Sequence, residues 1–178
     1  MAITKINNNT LSAVTELPAA IATGKVLQVV STTKTDAWSA SIGGGDETEV
    51  TNLTLSITPS STSSKIFVIA NISSVADGYW QYFNIKRDST QIGIGDQHGS
   101  NRQRRATGGN RGTTVDGIMA TSCSVLDTPS STSALDYQVV IANGAGSTGT
   151  HYVNQNPSSD ITSRASFAST ITAYEIAG

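Results

Sequence analysis

Thr58-Pro59-Ser60-Ser61-Thr62-Ser63-Ser64-Lys65-Ile66-Phe67-Val68-Ile69-Ala70-Asn71 decides the architecture, because its main features occur twice. Thr128-Pro129-Ser130-Ser131-Thr132-Ser133 repeats the hydroxyl-rich turn, and Val140-Ile141-Ala142-Asn143 repeats the Val68 to Asn71 ending at a spacing two residues longer. Proline ends a strand because it has no N–H for the ladder, and the Ser/Thr run turns the chain through local side-chain hydrogen bonds. A strand, a corner and a returning strand are thus built twice, the pattern expected of two equivalent corners of a sandwich.

Working outward, β-branched and alternating segments follow one another almost without relief. Val26 to Thr35, Val50 to Thr58, Lys65 to Ser73, Tyr79 to Arg87, Gln91 to Gly95, Ile118 to Leu126, Asp136 to Asn143, Thr150 to Asn154 and Arg164 to Glu175 all read as strands. No segment after Gly24 keeps a 3.6-residue apolar period over three turns, which argues against a parallel sheet with crossover helices. The expectation is all-β: antiparallel strands closing as two packed sheets, residues 25–178. Residues 1–24 read instead as an N-terminal arm. A short helical piece is possible after Pro18, and Ile3, Ile6, Leu11 and Val14 offer a small apolar docking set, too few to form a core.

Composition narrows the function classes. Ser and Thr supply 48 of 178 residues, while charged residues are 13%, about half the usual share, so the surface is covered mainly by hydroxyls, amides and glycine. A net charge of -2 provides no field for nucleic acid or anionic membrane. The longest apolar runs are far short of the ~18 residues that span a bilayer, and Met1 to Asn7 reads as no secretory leader. The single cysteine, Cys123, forms no intrachain disulfide and falls in an apolar-alternating strand, where a buried, inert thiol is expected.

Asp96 to Gly117 is the least regular stretch, 22 residues in which length, glycine and arginine coincide, with part of Arg104 to Thr107 readable as edge strand. Arg102, Arg104, Arg105 and Arg111, with Lys86 and Arg87, are six of the eleven basic residues. Guanidinium forks suit carboxylates and anionic sugars. Two roles stay open: ion pairs with Asp88, Asp96 or Asp116 of the same or a neighbouring subunit, and contact with an anionic host-surface glycan. In Gly78-Tyr79-Trp80-Gln81-Tyr82-Phe83-Asn84-Ile85, alternation puts Trp80, Tyr82 and Asn84 on one face and Tyr79, Gln81, Phe83 and Ile85 on the other. Both faces are partly aromatic, so this strand is expected to be covered once by the core and once by another subunit; a sugar-stacking surface is the alternative. Phe167, Ile171 and Ala173 share a face near the C-terminus and suggest a second interface element in a homotrimer.

Enzyme chemistry finds no anchor. His98 and His151 are the only histidines, with neither His-x-x-x-His nor Cys-x-x-Cys, so no metal or other cofactor is expected. There is no Gly-x-Ser-x-Gly elbow among the serines, Gly93-Ile94-Gly95 lacks the Lys-Ser or Lys-Thr of a phosphate loop, and Asp136, Asp160 and Glu175 read as solvated turn carboxylates.

Ile3-Thr4-Lys5-Ile6-Asn7-Asn8 with Leu11-Ser12-Ala13-Val14-Thr15, the segment Gly24 to Asp36, the segment Ile57 to Ile66 and the end Ala168 to Ala177 resemble small structural and fibre-tip proteins of tailed bacteriophages of marine bacteria, cyanophages especially. The resemblance runs across nearly the whole chain. It implies a jelly-roll-like sandwich assembling as a trimer, no transferable catalytic motif, and a place on the virion. That place is a tail fibre contributing to host attachment or, alternatively, a capsid knob or decoration protein that binds the shell. It also implies other virion proteins as partners of the arm.

Overall fold

The computed structural model describes residues 25–111, 117–144, 146–157 and 165–178. The arm with Ile3, Ile6, Leu11 and Val14, the helical piece after Pro18, and Asp116 and Asp160 lie outside the described residues. Eleven strands run through the described residues: β1 (Val26–Lys34), β2 (Trp38–Ile42), β3 (Glu47–Ile57), β4 (Lys65–Ala76), β5 (Trp80–Arg87), β6 (Thr90–Ile92), β7 (Thr107–Arg111), β8 (Met119–Asp127), β9 (Leu135–Asn143), β10 (Gly149–Val153) and β11 (Ser169–Ile176).

All pairings are antiparallel, in two sheets. In the first, β4 has β8 along one edge, while β11 and then β10 share its other edge; β1 lines β11 and β2 lines β10. β1 with β2, and β10 with β11, therefore each act as one interrupted strand. In the second sheet the order is β3-β9-β5, and β6 and β7 share the outer edge of β5. Counting each interrupted strand once, the sheets read 1-8-3-6 and 2-7-4-5, the double Greek key of a jelly roll.

One asparagine holds both interruptions. Asn154, at a φ of 64°, donates through Nδ2 to the carbonyls of Lys34 (2.8 Å) and Asp36 (3.1 Å), and Ser169 Oγ donates to its Oδ1 at 2.7 Å. Asparagine tolerates this left-handed conformation, and its amide satisfies carbonyls that the broken ladder leaves unpaired.

The inner faces follow from period-2 alternation. Leu53, Leu55 and Ile57 from β3, Ile66, Val68, Ala70 and Ile72 from β4, Phe83 and Ile85 from β5, and Ile171 and Ala173 from β11 form a continuous apolar layer between the sheets. Each of the larger side chains contributes roughly 1.5–3 kcal/mol by leaving water. Cys123 belongs to the same layer, and burial pushes its thiol up to about 11. The placement of Ile171 and Ala173 corrects the sequence expectation: they fill the core, and the outward positions of β11 are Thr170, Thr172, Tyr174 and Ile176.

The repeated Pro-Ser-Ser-Thr-Ser segments do occupy equivalent corners. The first carries the chain from β3 to β4 and the second from β8 to β9, each crossing between sheets. Their local geometry matches: Ser63 N donates to Ser61 Oγ at 3.2 Å, and Ser133 N to Ser131 Oγ at 3.0 Å. A carboxylate steadies each. Glu175 accepts from Ser60 N (2.7 Å), Ser60 Oγ (2.6 Å) and Gln28 Nε2 (2.6 Å). Burial pushes this carboxyl up, but those donors outweigh it and hold it at about 2. Asp127 takes the Tyr137 hydroxyl at 2.7 Å and Arg87 NH1 at 2.8 and 2.9 Å.

Candidate functional site

Glu47, at the start of β3, organises one end of the second sheet. Its Oε1 pairs with Lys86 Nζ at 2.9 Å, and its Oε2 accepts from Gln91 Nε2 (2.6 Å), Asn84 Nδ2 (3.2 Å) and Arg105 NH1 (3.2 Å). Burial raises this carboxyl, but the hydrogen bonds from Lys86 and Gln91 and the charges of Lys86 and Arg105 hold it below the ordinary value. Asn84 turns its other end to the loop, its Oδ1 accepting from Ala106 N at 3.0 Å. Arg105 completes the clamp, donating to Gly45 O at 3.3 Å and Gln103 Oε1 at 3.0 Å, with only 14% of its side chain exposed.

The segment after β6 is thereby folded back over β5. Asn84, on the second face of that strand, is buried beneath the chain's own loop at Ala106, a cover the sequence reading assigned to another subunit. β7 fits closely along the edge of β5 because it carries glycine: a Cβ at Gly109 would run into the Gln81 carbonyl. Gly144, from the end of β9, works the same way, since a side chain there would strike the Tyr82 ring.

Between loop and strand is an open cleft of about 610 Å³. Tyr82, Gly108 and Gly144 line it on the strand side, and Asp96, His98, Arg102 and Arg104 on the loop side. Arg102 and Arg104 are exposed, and Arg104 Nε is fixed by Gly95 O at 2.8 Å. Trp80 and Arg111 face each other across the β5–β7 pair. The guanidinium sits 5.9 Å from the indole ring, its Nε donating to Gly78 O at 3.3 Å, and Trp80 stays 46% exposed.

The sequence-derived candidates divide accordingly. Tyr82, Arg102, Arg104 and Arg105 line one cleft, whereas Trp80 and Arg111 form a separate stacked pair. Within one chain the acidic partners are not Asp88 or Asp96: Arg105 and Lys86 pair with Glu47 and Arg87 pairs with Asp127, while Asp88 accepts from the backbone N–H of Asp136. Glu47 and Gly144 escaped the sequence reading as parts of the site. The period-2 pairing of Asn84 with Tyr82 was the available pointer to the face, but nothing local joins Glu47 to an arginine 58 residues away. Among the described residues, no three His, Cys, Asp or Glu side chains are grouped to hold a metal ion.

Fold and site define an antiparallel jelly roll with an open, arginine-bearing cleft against the outside of one sheet. No protein-family model matches the chain, and no curated protein matches its sequence. Solved structures similar to it include the infectious bursal disease virus VP2 subviral particle, at 14% identity and a TM-score of 0.43, covering 85% of this chain and 38% of that one. The structure of the Gx strain of infectious bursal disease virus is similar at 15% identity and a TM-score of 0.40, covering 85% and 37%. This chain spans less than two-fifths of either.

Proposed function

We propose that this chain is a non-enzymatic structural protein of a virion surface, an oligomeric tail-fibre or fibre-tip component, a homotrimer, that contributes to host attachment. The supporting observation is the combination of a jelly roll, an architecture used by viral capsid and lectin domains, with a cleft whose exposed arginines are free of acidic partners in the ion pairs of the described residues. The near whole-chain resemblance to small structural and fibre-tip proteins of tailed phages supports a place on the virion, whether on the tail or on the capsid. Residues 1–24, with Ile3, Ile6, Leu11 and Val14, serve as the arm that docks on another virion protein.

In this reading Arg102 and Arg104 meet an anionic host-surface glycan, while Tyr82 offers part of its ring to a sugar face. Arg105 holds the loop and is not spent on the ligand. Dextran sulfate and neutral dextran serve as probes. Wild type is expected to retain dextran sulfate and release it as salt rises, because exposed charges are screened within about 8–10 Å. Arg102→Ala/Arg104→Ala should lose that retention at an unchanged melting temperature. Equal retention by the double variant, or equal retention of neutral dextran, refutes the cleft as the attachment site.

A further inference from the structure

The outward face of the first sheet carries a row of apolar side chains that crosses four strands. Val29 of β1 stands opposite Tyr174 of β11, Tyr174 opposite Phe67 of β4, and Phe67 opposite Leu126 of β8. The Phe67 and Tyr174 rings are 6.4 Å apart, and the row's ends are open to solvent, Val29 at 54% and Leu126 at 53%. The next row is Ser31, Thr172, Ile69 and Ser124, and the one after it Thr33, Thr170, Asn71 and Ser122. Neither holds a charge; Lys65, opposite Ile176, is the charged side chain bordering the apolar row. Val26, Leu27, Val29 and Leu126 are four of the seven large apolar side chains exposed among the described residues.

We propose that this face is where copies of the chain associate. The inference rests on the oligomeric reading above and names its surface. Two properties select a second copy as the occupant. A charged partner would find almost nothing to pair with, whereas another copy brings the same neutral mixture of apolar and hydroxyl side chains, free of the desolvated ionic groups that interface centres avoid. Size agrees as well. Four strands about 4.8 Å apart and about seven residues long give on the order of 450 Å² in projection. That projected area is already over half of the roughly 800 Å² of accessible surface per partner in a standard interface.

The test is the mass of the full chain in solution by light scattering and sedimentation across micromolar concentrations. Wild type should exceed one chain. Val29→Lys/Leu126→Lys, at positions already half in water, should raise the dissociation constant roughly a hundredfold and leave monomer with an unchanged far-UV spectrum. Val29→Ser/Leu126→Ser, which trims the row without adding charge, should weaken association in the same direction and guards against misfolding of the lysine variant. Thr51→Lys/Ser56→Lys, on the outside of the other sheet, should keep the wild-type mass. A wild-type oligomer that survives both face variants overturns this surface and leaves the oligomeric reading standing. Wild type running as one chain at every concentration overturns both.

Discussion

Lowering the pH from 8 to 5 should destabilise this protein through one side chain, His151. Its imidazole lies on the inner face of β10, is 0% exposed, and leaves both ring nitrogens without a hydrogen-bond partner. Burial alone pushes its pKa from 6.5 down to about 4. For a base whose folded-state pKa is depressed, the native state is undisturbed above the unfolded value. Stability is lost as pH falls from about 6.5 toward about 4, because only the unfolded chain takes up the proton. Linkage over this interval gives about 2 kcal/mol lost at pH 5 and about 3 kcal/mol at pH 4. Glu175, held at about 2, loses its contribution only as pH falls below about 4.5, so the window above pH 5 is free of it. Urea unfolding followed by circular dichroism reads the effect: with a slope of about 2 kcal/mol per molar, the wild-type midpoint should drop by about 1 M between pH 8 and pH 5. His151→Met should be flat over the same interval, whatever its absolute stability. Parallel pH dependence in the two proteins would refute the assignment.

Other outcomes follow from the corners and the cleft. Asp127→Ala should cost about 3 kcal/mol in chemical denaturation, because it orphans the buried Tyr137 hydroxyl and the partly exposed Arg87 together. Tyr137→Phe should cost about 1.5 kcal/mol, and the double variant less than the sum. Gly144→Val should lower stability by about 1–3 kcal/mol by driving a side chain into the Tyr82 ring, and Tyr82→Ala in the same chain should recover part of the loss in a thermal melt. Arg105→Ala should lower the melting temperature through the loss of its links to Glu47 and Gly45, an effect of about 1 kcal/mol, while Arg104→Ala should leave it unchanged.

What could be read from sequence divides along the range of the interactions. The two corners are local chemistry, proline followed by hydroxyls, and they stand where the repeat places them. β2 went unread because Trp38-Ser39-Ala40-Ser41-Ile42 is short and two-fifths serine, and becomes a strand by pairing with β10. β7, Thr107-Gly108-Gly109-Asn110-Arg111, has almost no intrinsic strand preference and exists because β5 offers it an edge. In β11 both faces carry apolar residues, so alternation separated Ile171 and Ala173 from Tyr174 and Ile176 without saying which pair faces inward. The cleft was half legible. Its arginines stood out in a charge-poor chain, but Gly144, which lines it, and Glu47, which holds Arg105, come from distant segments through tertiary pairing that no local pattern encodes.

The central claim, a structural place on the virion surface, is tested most directly by where the protein sits on an intact particle. Antibodies raised against the residue 25–178 sandwich, coupled to gold and applied to purified particles, should label the distal end of the tail. Label spread over the shell would assign the capsid-decoration role instead, and particles that carry no label while containing none of the chain by mass spectrometry would contradict the account.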